Sequence, residues 1–262
     1  MRNSQPIIGS VSLGLTGSPD PEVGLIGNIG SNIGGTWFGV FQEDSGRNAY
    51  SYRSNFDDFT DAIQERWDQD YDLIDVEYSN GIWFGVFGED ISLNAYSSRG
   101  NLDDFTDAIR DRWDQGRDLI DVEYGDGTWF GVFGSEPTSN AYSYSGNLDR
   151  FTEQIQERWD QGYDLVDVEY GDGTWFGVFQ IDTVSTAYSY SGNIDRFTEQ
   201  IEARWDQGYD LIDVEYDNGV WFGVFDQDSG ANAYSYGSLD TLVGQIQERW
   251  DEGFSLVDIG VG

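Results

Sequence analysis

Paired carboxylates recur along this chain at a fixed spacing: Asp75 and Glu77, Asp121 and Glu123, Asp167 and Glu169, Asp213 and Glu215. Asp258 continues the series, but Gly260 stands where the next glutamate would fall. Two residues apart on a strand, both carboxylates point to one face. Repeated, such faces would form a ring of acids lining a channel and offer oxygen donors to Ca²⁺ or to a cationic ligand. Glycoside hydrolysis would need one acid with a raised pKa and one without, and near-identical pairs argue against that asymmetry. The commoner fate of a charged strand face is solvation. In that reading Arg66 and its equivalents pair with nearby acids.

A second candidate set is aromatic. Tyr50 and Tyr52, Tyr142 and Tyr144, Tyr188 and Tyr190, and Tyr234 and Tyr236 lie two apart in short segments beside acidic, Ser- and Asn-containing loops. Rings on one face can stack on sugars while carboxylates and amides bind hydroxyls. The alternative is that the tyrosines pack beneath helices. Nucleophilic chemistry has little support: the chain has no cysteine, no histidine and no lysine, so neither a Ser-His nor a Ser-Lys pair can form. The glycine-rich Gly24–Gly35 lacks the Gly-Lys-Ser/Thr of a phosphate loop, and the Asp-Gly turns are too short for a calcium loop. No cofactor is expected, apart from Ca²⁺ at the acidic faces.

The elements that must position these residues come from repetition. "WFGVF" begins at Trp37, Trp83, Trp129, Trp175 and Trp221, always 46 apart, and "RWD" begins at Arg66, Arg112, Arg158, Arg204 and Arg249. Five copies of one unit follow, near 35–80, 81–126, 127–172, 173–218 and 219–262, in a single repeat domain over 23–262. Residues 1–22 read as an N-terminal arm. In each unit an Asn or Ser cap (Asn55, Asn101, Asn147, Asn193, Ser238) opens a helix. Leu148, Phe151, Ile155 and Trp159 mark its inward stripe. Gly116, Gly162, Gly208 and Gly253, with Asp70 in the first unit, close it in the left-handed region. "DLIDVEY" and "WFGVF" then form a hairpin across Asn-Gly or Asp-Gly, the pairs a type I′ turn prefers. Ile74, Val76 and Tyr78 alternate against Leu73, Asp75 and Glu77. The glycine inside "WFGVF", such as Gly131, marks a close approach. A variable six-residue loop and a short "NAYSY" strand lead to the next helix.

The fold class expected is α/β: five strand-helix-strand-strand units, with a mixed sheet if the helix joins two neighbouring parallel strands. The chain ends on half a hairpin, "FSLVDIGVG", and its first "WFGVF" lacks a partner. Pairing Leu256–Ile259 beside Trp37–Phe41 would close a five-fold propeller-like ring. The alternative is an open solenoid capped by Val23–Gly30.

This order resembles a circular shift of the pentein α/β-propeller, typified by arginine deiminases. Pentein enzymes depend on a cysteine and a histidine, which this chain lacks, so the resemblance implies fold and not deiminase activity. Separately, "RWDQGYDLVDVEYGDGTWFGVF" at Arg158–Phe179 resembles a repeat of the C-terminal regions of plant casein-kinase-like proteins and of bacterial tandem-repeat proteins. It spans about half of each unit and implies an accessory binding module.

The charge bounds the partners. Acids number 49 against 13 bases, a net charge of −36. Nucleic acid and anionic membranes are excluded as partners on that balance. Protein or neutral glycan remains, and a monomer is expected. No apolar run is long enough to span a bilayer, and no signal peptide is recognisable, so a soluble chain is expected. A lysine-free acidic surface suits a salty environment, where counterions screen self-repulsion. Stability is therefore expected to rise along a salt series, and a flat Tm would refute this. The functional expectation is non-catalytic recognition through the variable loops. The alternatives are a multivalent lectin and a structural or sensor repeat domain.

Overall fold

The computed structural model describes residues 34–43, 46–89, 94–135, 139–181, 184–227 and 230–262. The expected N-terminal arm, the Val23–Gly30 segment and parts of all five variable loops lie outside the described residues. The chain opens with β1 (Trp37–Glu43), β2 (Ala49–Arg53), α1 (Phe56–Trp67), β3 (Asp72–Ser79) and β4 (Ile82–Gly88). The same pattern gives β5 (Ala95–Arg99), α2 (Leu102–Trp113), β6 (Asp118–Gly125) and β7 (Thr128–Gly134). Next come β8 (Asn140–Ser145), α3 (Leu148–Trp159), β9 (Asp164–Gly171) and β10 (Thr174–Gln180). They are followed by β11 (Ala187–Ser191), α4 (Ile194–Trp205), β12 (Asp210–Asp217) and β13 (Val220–Asp226). The last elements are β14 (Asn232–Gly237), α5 (Leu239–Asp251) and β15 (Phe254–Val261).

These form five three-stranded sheets, ordered β2-β4-β3, β5-β7-β6, β8-β10-β9, β11-β13-β12 and β14-β1-β15. Every pairing is antiparallel, so the mixed sheet is corrected. The helix does join two parallel strands, but it leaves a slot between them. The apolar "WFGVF" strand, able to bury both faces, fills that slot. In the fifth sheet the filler is β1, from the other end of the chain, with Phe41 opposite Leu256 and Gly39 opposite Ile259. The structural unit is thus one edge strand, helix, inner strand and central strand.

Local signals hold as read. Asn55 Oδ1 accepts from Asp58 N at 3.1 Å, and each helix has the same kind of cap. Asp126 and Gly127 both take positive φ, 48° and 74°, as a type I′ turn requires. Asp70 is left-handed at φ 62°, as Gly116 is in the next unit. A Cβ on Gly131 would come within 2.9 Å of Leu119 and of the Phe105 ring. The helix therefore presses its phenylalanine onto bare backbone.

The inner strand differs from simple alternation. A bulge falls between Leu73 and Asp75, and its equivalent occurs in all five sheets. The extra residue puts Leu73 and Val76 together in the core beneath α1. Asp75 and Glu77 are left on the opposite face. A bulge also strips backbone groups of ladder partners, and Asn94 of the next unit supplies them. Its Oδ1 accepts from Leu73 N (3.0 Å) and Trp67 Nε1 (2.7 Å), and its Nδ2 donates to Leu73 O (2.8 Å). Asn140 and Asn232 repeat this clasp. Asn48 makes it to Trp250 and Leu256, 208 residues away from Leu256 in sequence. Only the fourth junction departs. Thr186 accepts from Trp159 Nε1 and Leu165 N but donates to Asp164 Oδ1. Thr186→Asn is expected to stabilise by about 1 kcal/mol by restoring the donation to Leu165 O. Urea unfolding reads this directly, and an unchanged midpoint would refute it.

Each core is shared between units. Phe59, Ile63, Leu73, Val76, Trp83 and Phe87 bury with Phe130 and Val132 of the next sheet. The core under α5 closes on Phe84 and Val86 of the first unit. No unit buries its apolar face alone. The inner strands touch in sequence, β3 with β6, β6 with β9, β9 with β12, and β12 with β15, and the succession returns as β15 contacts β3.

Candidate functional site

Where the five inner strands meet, their acidic faces meet too. Asp75, Glu77, Asp121, Glu123, Asp167, Glu169, Asp213, Glu215 and Asp258 are all buried, none more than 6% exposed. The solvated-face reading is therefore overturned. The arginines expected to balance these acids are engaged elsewhere: Arg66 Nε donates to Ser51 Oγ and its Nη2 to Tyr50 O, on its own edge strand. Arg112, Arg158, Arg204 and Arg249 do the same, and among the described residues Arg249 alone of these four also pairs with an acid, the exposed Glu252 at 3.0 Å. Among the described residues none of the nine acids makes an ion pair.

Some of the carboxyls tie neighbouring strands together. The inner strands belong to separate sheets, so no backbone ladder joins them. Glu169 Oε1 accepts from Tyr124 N at 3.1 Å, and Asp258 Oδ2 from Val214 N at 2.9 Å. Asp75 lies within hydrogen-bonding reach of Asp121 and Asp258, and Asp167 of Asp213. Two carboxyls this close cannot both ionise cheaply, so one keeps its proton.

Burial pushes all nine pKa values up, and neighbouring carboxyls add to it. Glu215 is pushed up to about 8, by burial first and then by Asp217, with the Tyr170 and Tyr216 amides drawing it back. The Oδ2 atoms of Asp75, Asp121, Asp167 and Asp213 are buried without a hydrogen-bond partner. Unpartnered buried oxygens are costly and uncommon in native proteins.

The glutamates lie two residues nearer the hairpin turns than the aspartates. There Glu77, Glu123, Glu169 and Glu215 line an open-ended chamber of about 270 Å³, with Gly35 and Gly262 at its edge. Among the described residues no group of three or more acidic side chains is placed to hold one metal ion. The chamber walls instead spread their acceptors around a volume.

The tyrosine set is dispersed over four of the five sheets and does not converge. Tyr50 and Tyr52 are buried, stacked on Phe84 at 5.4 and 5.7 Å. Tyr142, Tyr188 and Tyr234 are half-buried between a tryptophan of the preceding helix and a phenylalanine of their own sheet. Tyr144, Tyr190 and Tyr236 are exposed at their outer ends. Most of this aromatic surface is the joint between units. Residues missed at the sequence level are the clasp asparagines; their recurrence before "AYS" was the available signal.

No family model, no curated protein and no solved structure matches the chain. No helix among the described residues is long and apolar enough to cross a membrane.

Proposed function

We propose that the chain is a non-catalytic recognition module: a closed, five-fold α/β-propeller-like ring that takes its ligand at the acid-lined chamber. Closure is supported by the seat of β1 between β14 and β15, the Asn48 clasp on β15, and the return of inner-strand contacts to β3. The observation that carries the recognition reading is the burial of nine carboxyls, four of them lining one open-ended chamber, with no arginine opposite them. A fold that sought only stability would place apolar side chains there, since buried ionisable groups cost free energy unless partnered. Catalysis fits less well. The carboxyls share one environment and one direction of pKa shift, whereas acid–base work needs two that differ.

The reading is tested by thermal-shift measurements with cationic, neutral-sugar and anionic small molecules on the wild type and on E123Q/E169Q. A ligand that raises Tm in the wild type and fails to do so in the variant is expected. If no class shows that dependence, the chamber is not a binding site. A neutral sugar that acts equally on both proteins would instead favour the exposed Tyr144, Tyr190 and Tyr236.

A further inference from the structure

We propose that the chamber's ligand is a small organic cation of the diamine class, carrying two or more separated N–H-bearing charged centres. This rests on reading the chamber as the binding site. The chemistry of the walls selects the sign of the ligand: four glutamates and Asp217 supply carboxyl oxygens and no basic side chain lines the chamber, so nothing there offers an anion a positive partner. Their spacing selects the size. Ca²⁺ asks for six to eight oxygens converging on one point, and no three acids among the described residues do so. Charged N–H groups placed a few bonds apart can meet acceptors spread around about 270 Å³. Each contact is then a charge-assisted hydrogen bond, about twice as strong as a neutral one.

The second tier points the same way. Behind the glutamates, along the same strand faces, four aspartate Oδ2 atoms are buried with no N–H group donating to them. Their side-chain neighbours are other carboxyls, which can share a proton but bring no positive charge. Gly260 breaks the five-fold symmetry, because a fifth glutamate is absent from the wall. The wall is therefore richer in acceptors on one side, which favours an elongated ligand over a spherical ion.

Binding makes N–H···O contacts and no covalent bond. Any proton displaced from a carboxyl passes to the buffer.

The test is calorimetric titration of the full chain at pH 8 in 0.3 M NaCl, with putrescine and CaCl₂ in separate arms. Three proteins are compared: wild type, E123Q/E169Q, and D107N/E153Q, which removes two charges from exposed helix faces. Glu215→Gln serves as a second chamber variant, and circular dichroism checks that all are folded. One putrescine site is expected in the wild type, unchanged in D107N/E153Q and at least tenfold weaker in the chamber variants. Equal weakening in D107N/E153Q would make the effect a surface-charge one and overturn the proposal. Glutamate-dependent binding of Ca²⁺ or of a sugar, without putrescine, overturns the diamine but keeps the chamber as a site. No glutamate-dependent ligand of any kind overturns both.

Discussion

Between pH 8 and pH 5 the protein is expected to become more stable, with Tm rising by about 10 °C or more. The direction is opposite to ordinary acid denaturation and follows from the nine buried carboxyls. Each holds its proton more tightly in the folded chain than in the unfolded one, where its pKa is near 4. Between those two values the folded state binds more protons, so stability falls as pH rises, by about 1.4 kcal/mol per pH unit per extra proton held. The contribution is fully present below about pH 4 and is lost as pH rises through the folded values. For Glu215 that value is about 8.

The groups facing these carboxyls support the sign. On β3, β6, β9, β12 and β15 they are one another's neighbours, with Asp217 at the mouth. Opposing influences come from backbone amides such as those of Val76, Val122, Tyr124 and Val214. They hold the shifts back without reversing them. Repulsion among exposed acids also relaxes at low pH, so the measurement belongs in about 1 M salt, where the screening length is about 3 Å. Calorimetric scans at pH 5, 6.5 and 8 would show the rise persisting there. A Tm independent of pH in high salt would remove the buried acids as its source. Glu215→Gln should raise Tm at pH 8 and flatten the profile.

The local layers of this fold were legible because their signals are local. An asparagine before an amphipathic run, a glycine after it, and Asp-Gly between two apolar stretches each specify backbone conformation within a few residues. The pairing of β1 with β15 was legible for a different reason: "WFGVF" at Trp37 and "FSLVDIGVG" each lack the other half of a hairpin. A ring of acids lining a channel was one reading of Asp75 and Glu77, but their burial was not legible. A strand reading apolar-acid-apolar-acid looks half-solvated, and only the approach of five such strands, far apart in sequence, covers the acid face. The bulge beside Ile74 was equally hidden. It moves Leu73 to the other side of the strand, and its stabilising partner, Asn94, belongs to the next unit. Arg66 was misassigned because charge suggests an acid as its partner, whereas Ser51 and the Tyr50 carbonyl lie within reach on the same unit's edge strand. Slot-filling by the central strand was lost for a similar reason. Parallel strands joined by a helix are usually neighbours, and nothing local says that a third strand intervenes.

Gly260→Ala is expected to cost about 3 kcal/mol or more, a fall in Tm of roughly 6 to 12 °C. Gly260 lies on β15, opposite Phe38 of β1. A Cβ built there would overlap the carbonyl oxygen of Val214 on β12 and come within 3.1 Å of Val214 Cγ1. The obstacle is backbone, which cannot swing aside as a side-chain tip can. β15 would have to withdraw from β12, stretching the 2.9 Å bond from Val214 N to Asp258 Oδ2 and disturbing β15's pairing with β1. Gly260→Glu would restore the repeat's own residue, yet it should be worse still, adding a tenth buried carboxyl to the same clash. Gly244→Ala is the control. Gly244 lies in α5 with open space around its Cβ position, so alanine there should stabilise by up to about 1 kcal/mol. Opposite signs for two Gly→Ala changes only 16 residues apart would trace the missing glutamate to steric contact where β15 meets β12. A loss below about 1 kcal/mol in Gly260→Ala, read by urea unfolding, would mean that β15 can shift away from β12 at little cost. The gap in the acid series would then need a cause in the ligand instead of in the fold.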